Sequence, residues 1–72
     1  MYGEEIKKLR KSFGYTQKFV SEKTGIPQNT ISWIEKDKGL ANIHQCVLLA
    51  NLFEVSLDEL IGREQPQNIN KN

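Results

Sequence analysis

Thr16-Gln17-Lys18-Phe19-Val20-Ser21-Glu22-Lys23-Thr24-Gly25-Ile26-Pro27-Gln28-Asn29-Thr30-Ile31-Ser32-Trp33-Ile34-Glu35-Lys36 is the stretch on which the fold turns. Thr16 carries the side-chain oxygen of an N-cap, so a helix should run from Gln17 to Thr24 and close at Gly25. Pro27 then permits another helix to begin at once, because a missing N–H costs nothing in a first turn. That helix should continue to about Lys36. The segment thus reads as two short helices separated by a tight turn.

Working outward, Ile6, Leu9 and Phe13 recur at helical spacing with Gly14 just beyond, which predicts a first helix over residues 3 to 13. Asp37-Lys38-Gly39 is a turn. Asn42 with Gln45 forms a variant of the capping box ahead of the apolar run Ile43 to Phe53, and Ser56 with Glu59 forms another ahead of a short helix from Leu57 to Ile61. No alternating apolar run is long enough for a strand, so the expected class is all-α with five helices, in one domain over residues 1 to 62. Residues 63 to 72 are rich in Gln and Asn and are expected to form a disordered polar tail.

The 72 residues suffice for one small domain. Below about 70 to 80 residues a single core contributes only about 3 to 5 kcal/mol, so a partner would help. One cysteine, Cys46, excludes an internal disulfide and fits a reducing cytoplasm. No apolar run approaches the length of a membrane span, and the first residues lack the layout of a signal peptide. The net charge of +1 hides an asymmetry: residues 1 to 38 hold eight basic and five acidic groups, residues 39 to 72 two and four. A basic half and an acidic half point to separate faces for separate partners.

On the helix after Gly25, Ile31 and Ile34 share one side, while Gln28, Asn29, Ser32, Trp33 and Lys36 span the opposite arc. Amide side chains pair with adenine edges, serine donates or accepts, an indole offers an apolar surface to a thymine methyl, and lysine reaches phosphate. The same arc also fits an ordinary solvated helix face, although an outward Trp usually has a reason. The arrangement matches a helix-turn-helix unit. Ile6-x-x-Leu9-Arg10, Gly14-Tyr15-Thr16-Gln17, Thr24-Gly25-Ile26, Thr30-Ile31-Ser32-x-Ile34-Glu35 and Val55-Ser56-Leu57-Asp58-Glu59-Leu60 resemble the Cro and phage-repressor helix-turn-helix family, the xenobiotic-response-element regulators. The resemblance covers residues 2 to 61 and implies a lambda-repressor-like fold.

By that resemblance Gln28, Asn29, Ser32 and Trp33 lie where bases are read, and Gln17 would bond a phosphate and brace the reading helix. Lys18, Thr30, Lys36 and Lys38 are the accompanying phosphate candidates. Arg10 and Glu35 match a salt bridge between the first and third helices, the alternative for Glu35 being an exposed charge at a helix end. Some positions depart from the family pattern: Ser21 replaces a small alanine and is expected to bond back to the preceding turn, and Thr24 replaces a leucine, weakening that corner of the core. Pro27 replaces a hydroxyl cap, Phe19 sits at a usually polar position, and Glu54 takes the place of a left-handed glycine.

In the fourth helix Ile43, Cys46, Val47, Ala50 and Phe53 form one stripe with Leu49 at its edge, while Leu48 and Leu52 lie roughly opposite. Either Leu57 and Ile61 fold over that second stripe, or Leu48, Leu52 and Leu57 meet a two-fold partner that sets two reading helices one DNA turn apart. Enzyme chemistry has no footing. His44 and Cys46 face different sides of an apolar helix, and no phosphate loop, carboxylate pair or metal-ligand cluster appears, so no cofactor or metal is expected. The expected function is a sequence-specific reader of double-stranded DNA, a transcriptional repressor acting as a homodimer on a two-fold operator. The other reading is a protein-interaction module, such as an antitoxin or a regulator controlled by a small protein partner.

Overall fold

The structure, a computed structural model, describes residues 2–62, and among them every regular element is an α-helix. In chain order these are α1 (Gly3–Ser12), α2 (Gln17–Thr24), α3 (Gln28–Glu35), α4 (Ile43–Phe53) and α5 (Leu57–Leu60). The tail expected over residues 63 to 72 lies outside the described residues. Local chemistry sets the starts of α2, α4 and α5. Thr16 Oγ1 accepts the Phe19 N–H at 3.0 Å, and Asn42–Gln45 and Ser56–Glu59 close reciprocal capping boxes ahead of α4 and α5. Pro27 stands in the cap position ahead of α3 and not within its first turn, and its carbonyl accepts the Thr30 and Ile31 N–H groups at 3.0 and 3.1 Å.

Three helices end alike, with an N–H reaching back five residues: Tyr15 to Arg10, Lys38 to Trp33 and Val55 to Ala50. The left-handed residue that permits this is Gly14 after α1, Asp37 (φ 58°) after α3 and Glu54 (φ 57°) after α4. Asp37 gains a long-range bond in that position, its carboxylate accepting the Gly3 N–H at 3.1 Å. Glu54 is exposed. Because a side chain in this conformation costs roughly 1 kcal/mol relative to glycine, Glu54→Gly should raise the melting temperature by about 4 to 8 °C. A thermal melt monitored by circular dichroism checks this, and an unchanged midpoint would show that Glu54 carries no strain.

All five helices and the α2–α3 turn feed one core of Ile6, Val20, Ile26, Ile31, Ile34, Cys46, Leu49, Ala50, Phe53 and Leu60. Helix α3 packs on α1 and α2, and α4 packs on α2 and α5. The buried side of α4 is not centred where periodicity placed it. Leu49, expected at the edge, is fully buried, whereas Ile43 and Val47, expected inside, are 70% and 39% exposed. On a helix advancing about 100° per residue, Val47 falls on the solvent flank of a stripe centred between Leu49 and Ala50, whereas Ile43 projects beside Ala50 and is exposed at the first residue of α4. Leu48 and Leu52 lie half-buried against the core, and Leu57 is exposed.

Phe19 is also less free than its unusual position implies. Its ring lies 4.5 Å from Tyr15, which is 5.3 Å from Phe13 and 6.3 Å from the buried Phe53. Lys23 Nζ sits 5.5 Å over the Phe19 ring. The aromatic at the usually polar position is therefore the outer end of a chain of rings rooted in the core.

Candidate nucleic-acid interface

The α2–α3 turn is anchored on Ile26, whose side chain is buried and whose backbone is bonded on both sides. Ser21 Oγ donates to the Ile26 carbonyl at 2.6 Å, so the hydroxyl reaches forward across the turn and not back along α2 as expected. Thr24 Oγ1 donates to the Val20 carbonyl and accepts the Ile26 N–H at 3.2 Å. A leucine there would leave that N–H without this acceptor, so the threonine contributes to the turn rather than merely weakening the corner.

Helix α3 is locked at its far end. Arg10 Nε and Nη2 donate to Glu35 Oε2 and Oε1 at 2.7 and 3.0 Å, and Nη1 donates to the Tyr15 carbonyl at 2.9 Å. Gln17 Nε2 adds a third bond to the same carboxylate at 3.1 Å. Both charged side chains are buried, at 11% and 2% exposure, in a planar two-point geometry suited to a guanidinium and a carboxylate. Glu35 is therefore no exposed helix-end charge. It joins α1, the start of α2 and the end of α3, which fixes α3 relative to its neighbours. The Gln17 amide retains a second N–H for a further acceptor.

With its inner side held, α3 presents Gln28, Asn29, Ser32 and Trp33 outward. These residues line one groove together with Gln17, Lys36 and Lys38. Trp33, 60% exposed, is the ridge between this polar groove and a second, smaller concavity lined by Asn29, Thr30, Ile34, Gly39 and Leu40. Thr30 thus lies across the ridge, and Lys18 stands exposed on α2 outside both hollows. A band of amides, one hydroxyl and an indole flanked by lysines can pair with base edges, touch a thymine methyl and neutralise phosphate.

Several residues at this face carry no sequence signal of their role. Tyr2, Gly3 and Asp37 tie the start of α1 to the α3–α4 loop, and Leu40 in that loop is 65% exposed beside Trp33. A Cβ on Gly3 would overlap the Ile34 carbonyl and come within 2.9 Å of the Glu35 carbonyl, so only glycine lets α1 start against the last turn of α3. Elsewhere, burial pushes the Cys46 thiol above its ordinary value, and His44 is exposed. Among the described residues no cluster of His, Cys, Asp and Glu could hold a metal ion, and no helix is long and apolar enough to cross a membrane.

Two short helices joined by a turn bound at Ile26, the second offering an amide and indole face from a five-helix core, define a helix-turn-helix protein of the Cro and phage-repressor type. Residues 6–60 match the helix-turn-helix family, to which the chain belongs. It is 35% identical to the HTH-type transcriptional regulator ImmR of Bacillus subtilis (strain 168), over 96% of this chain and 54% of that protein. It is 32% identical to the cryptic phage CTXphi transcriptional repressor RstR of Vibrio cholerae, over 83% of this chain and 54% of that protein. The chain spans about half the length of these curated relatives. No solved structure gives a significant match.

Proposed function

We propose that this domain reads double-stranded DNA by sequence and regulates transcription, repressing as a homodimer that occupies a two-fold operator. The observation that carries the reading is the outward face of α3. Gln28, Asn29, Ser32 and Trp33 line a groove flanked by Lys36 and Lys38, on a helix locked from behind by Arg10, Glu35 and Gln17. Base readout falls to those four residues, and phosphate contacts to Gln17, Lys18, Thr30, Lys36 and Lys38. Relatives named as a transcriptional regulator and a phage repressor favour the same role.

For the dimer, the proposed two-fold face comprises Leu57, exposed at the start of α5, with the half-buried Leu48 and Leu52 of α4. Exposed Ile43 and Val47 add apolar surface on α4, and this favours, as second reading, a small protein partner in place of a second copy.

Selection of bound duplexes from a random pool tests the proposal and returns the half-site and its spacing together. Gln28→Ala, Asn29→Ala and Trp33→Ala should each lose about 1 to 3 kcal/mol of discrimination at particular base pairs. Gln17→Ala should instead weaken binding to all sequences alike. Uniform affinity changes in all four variants, with no shift in base preference, would remove α3 as the reader. A pool yielding no enriched duplex would favour the protein-partner reading.

A further inference from the structure

We infer that Tyr2 and Gly3 form a latch that positions the Trp33 indole, making Tyr2 a positioning residue for base preference; this rests on α3 being the DNA-reading helix. The latch acts on the loop between α3 and α4, residues 37–41, and holds it at both ends. At the near end the Gly3 N–H donates to Asp37 Oδ1 at 3.1 Å. At the far end the Tyr2 hydroxyl donates to the Ala41 carbonyl at 3.3 Å and accepts the Ala41 N–H at 3.0 Å. One hydroxyl thus satisfies both backbone groups of a residue 39 positions away.

Between those anchors lies Gly39, which faces the Trp33 ring. A Cβ built on Gly39 would sit 3.6 Å from Trp33 Cε3 and 4.0 Å from Trp33 Cβ. Leu40, the next residue, lines the hollow on the same side of the indole. Gly39 and Leu40 thus flank one side of a ring that is 60% open to solvent. An indole that reads an apolar feature of a base must be held in one rotamer, and a loop free to swing would release it.

Trp33 is the single tryptophan of the chain, so emission excited at the red edge, where tyrosine does not absorb, reports on this ring alone. The test is Tyr2→Phe, which keeps the aromatic ring and removes both hydrogen bonds to Ala41. Indole fluorescence anisotropy should fall and acrylamide quenching should rise. Preference at the base pair that Trp33→Ala affects should drop roughly three- to ten-fold, with non-specific duplex binding unchanged within about two-fold. Val55→Ala, at a half-buried position packed on the core between α4 and α5, is the control for lost stability. It should leave both the fluorescence and the base preference in place. An unchanged indole signal in Tyr2→Phe, or the same changes in Val55→Ala, would overturn the latch. A selected half-site that Tyr2→Phe reads as well as the wild type overturns the latch while α3 remains the reader. A wild type that selects no duplex overturns the reader and this inference together.

Discussion

Arg10→Met is expected to destabilise the domain by about 3 to 5 kcal/mol, because it strands a buried carboxylate while leaving the desolvation cost in place. Glu35 has 2% of its side chain exposed and would keep only the Gln17 amide as partner, and the Tyr15 carbonyl would lose its donor as well. A single core of this size contributes only about 3 to 5 kcal/mol, so a large unfolded population at room temperature follows. The double variant Arg10→Met, Glu35→Leu should recover much of the loss, since removing both charges of a buried pair is often close to neutral. Urea melts of the wild type, both single variants and the double variant measure the coupling. A coupling near zero would mean that apolar packing of Ile31 and Ile34 alone holds α3. The recovered double variant should still bind all DNA sequences more weakly, because Gln17 would have lost the carboxylate that orients it toward phosphate.

Leu57→Glu is expected to give a monomer that folds normally and loses roughly 10²- to 10⁴-fold in affinity for a two-half-site operator, the contribution of the second linked contact. Leu57 is a better probe of the proposed two-fold face than Leu52. Leu52 lies half-buried against the core, so a charge there would disturb folding and assembly at once, whereas Leu57 is exposed. Leu57 is also the first residue of α5, where a carboxylate meets the positive end of the helix dipole. Sedimentation equilibrium with and without operator, alongside circular dichroism, separates assembly from folding. Wild type that remains monomeric at high concentration and on DNA would sink the dimer. Operator binding by Leu57→Glu equal to wild type would move the interface elsewhere, with the apolar surface at Ile43 and Val47 the next place to substitute.

The starts of α2, α4 and α5 were legible in the sequence because the groups that set them lie within three residues of one another. Thr16 bonds Phe19, Asn42 bonds Gln45, and Ser56 bonds Glu59. The spacing from Gln17 to Lys36 then defines the helix-turn-helix order, and the alternation of Ile31 and Ile34 with Gln28, Asn29, Ser32 and Trp33 settles which side of α3 faces inward. Even the strained C-cap at Glu54 could be read from one residue standing where a glycine usually does.

Tertiary packing decided what a local pattern leaves degenerate. Helix α4 is apolar almost all round, so periodicity could not choose between a stripe through Ile43 and Val47 and one through Leu49, and the positions of α2 and α5 made that choice. Ser21 donates its hydroxyl to the Ile26 carbonyl across the turn and not to the preceding turn of α2, a choice made by the approach of that carbonyl. Phe19 lies within a helical turn of Tyr15 and Lys23, but only the fold brings Phe53 to Tyr15 and so roots that chain of rings in the core. The bonds from Tyr2 to Ala41 and from Gly3 to Asp37 span 39 and 34 residues, and no spacing rule relates residues so far apart. Local hydrogen bonds obey the helix period and are written in the order of residues, whereas the choice of buried flank and the closing of distant contacts depend on how five helices share one small core.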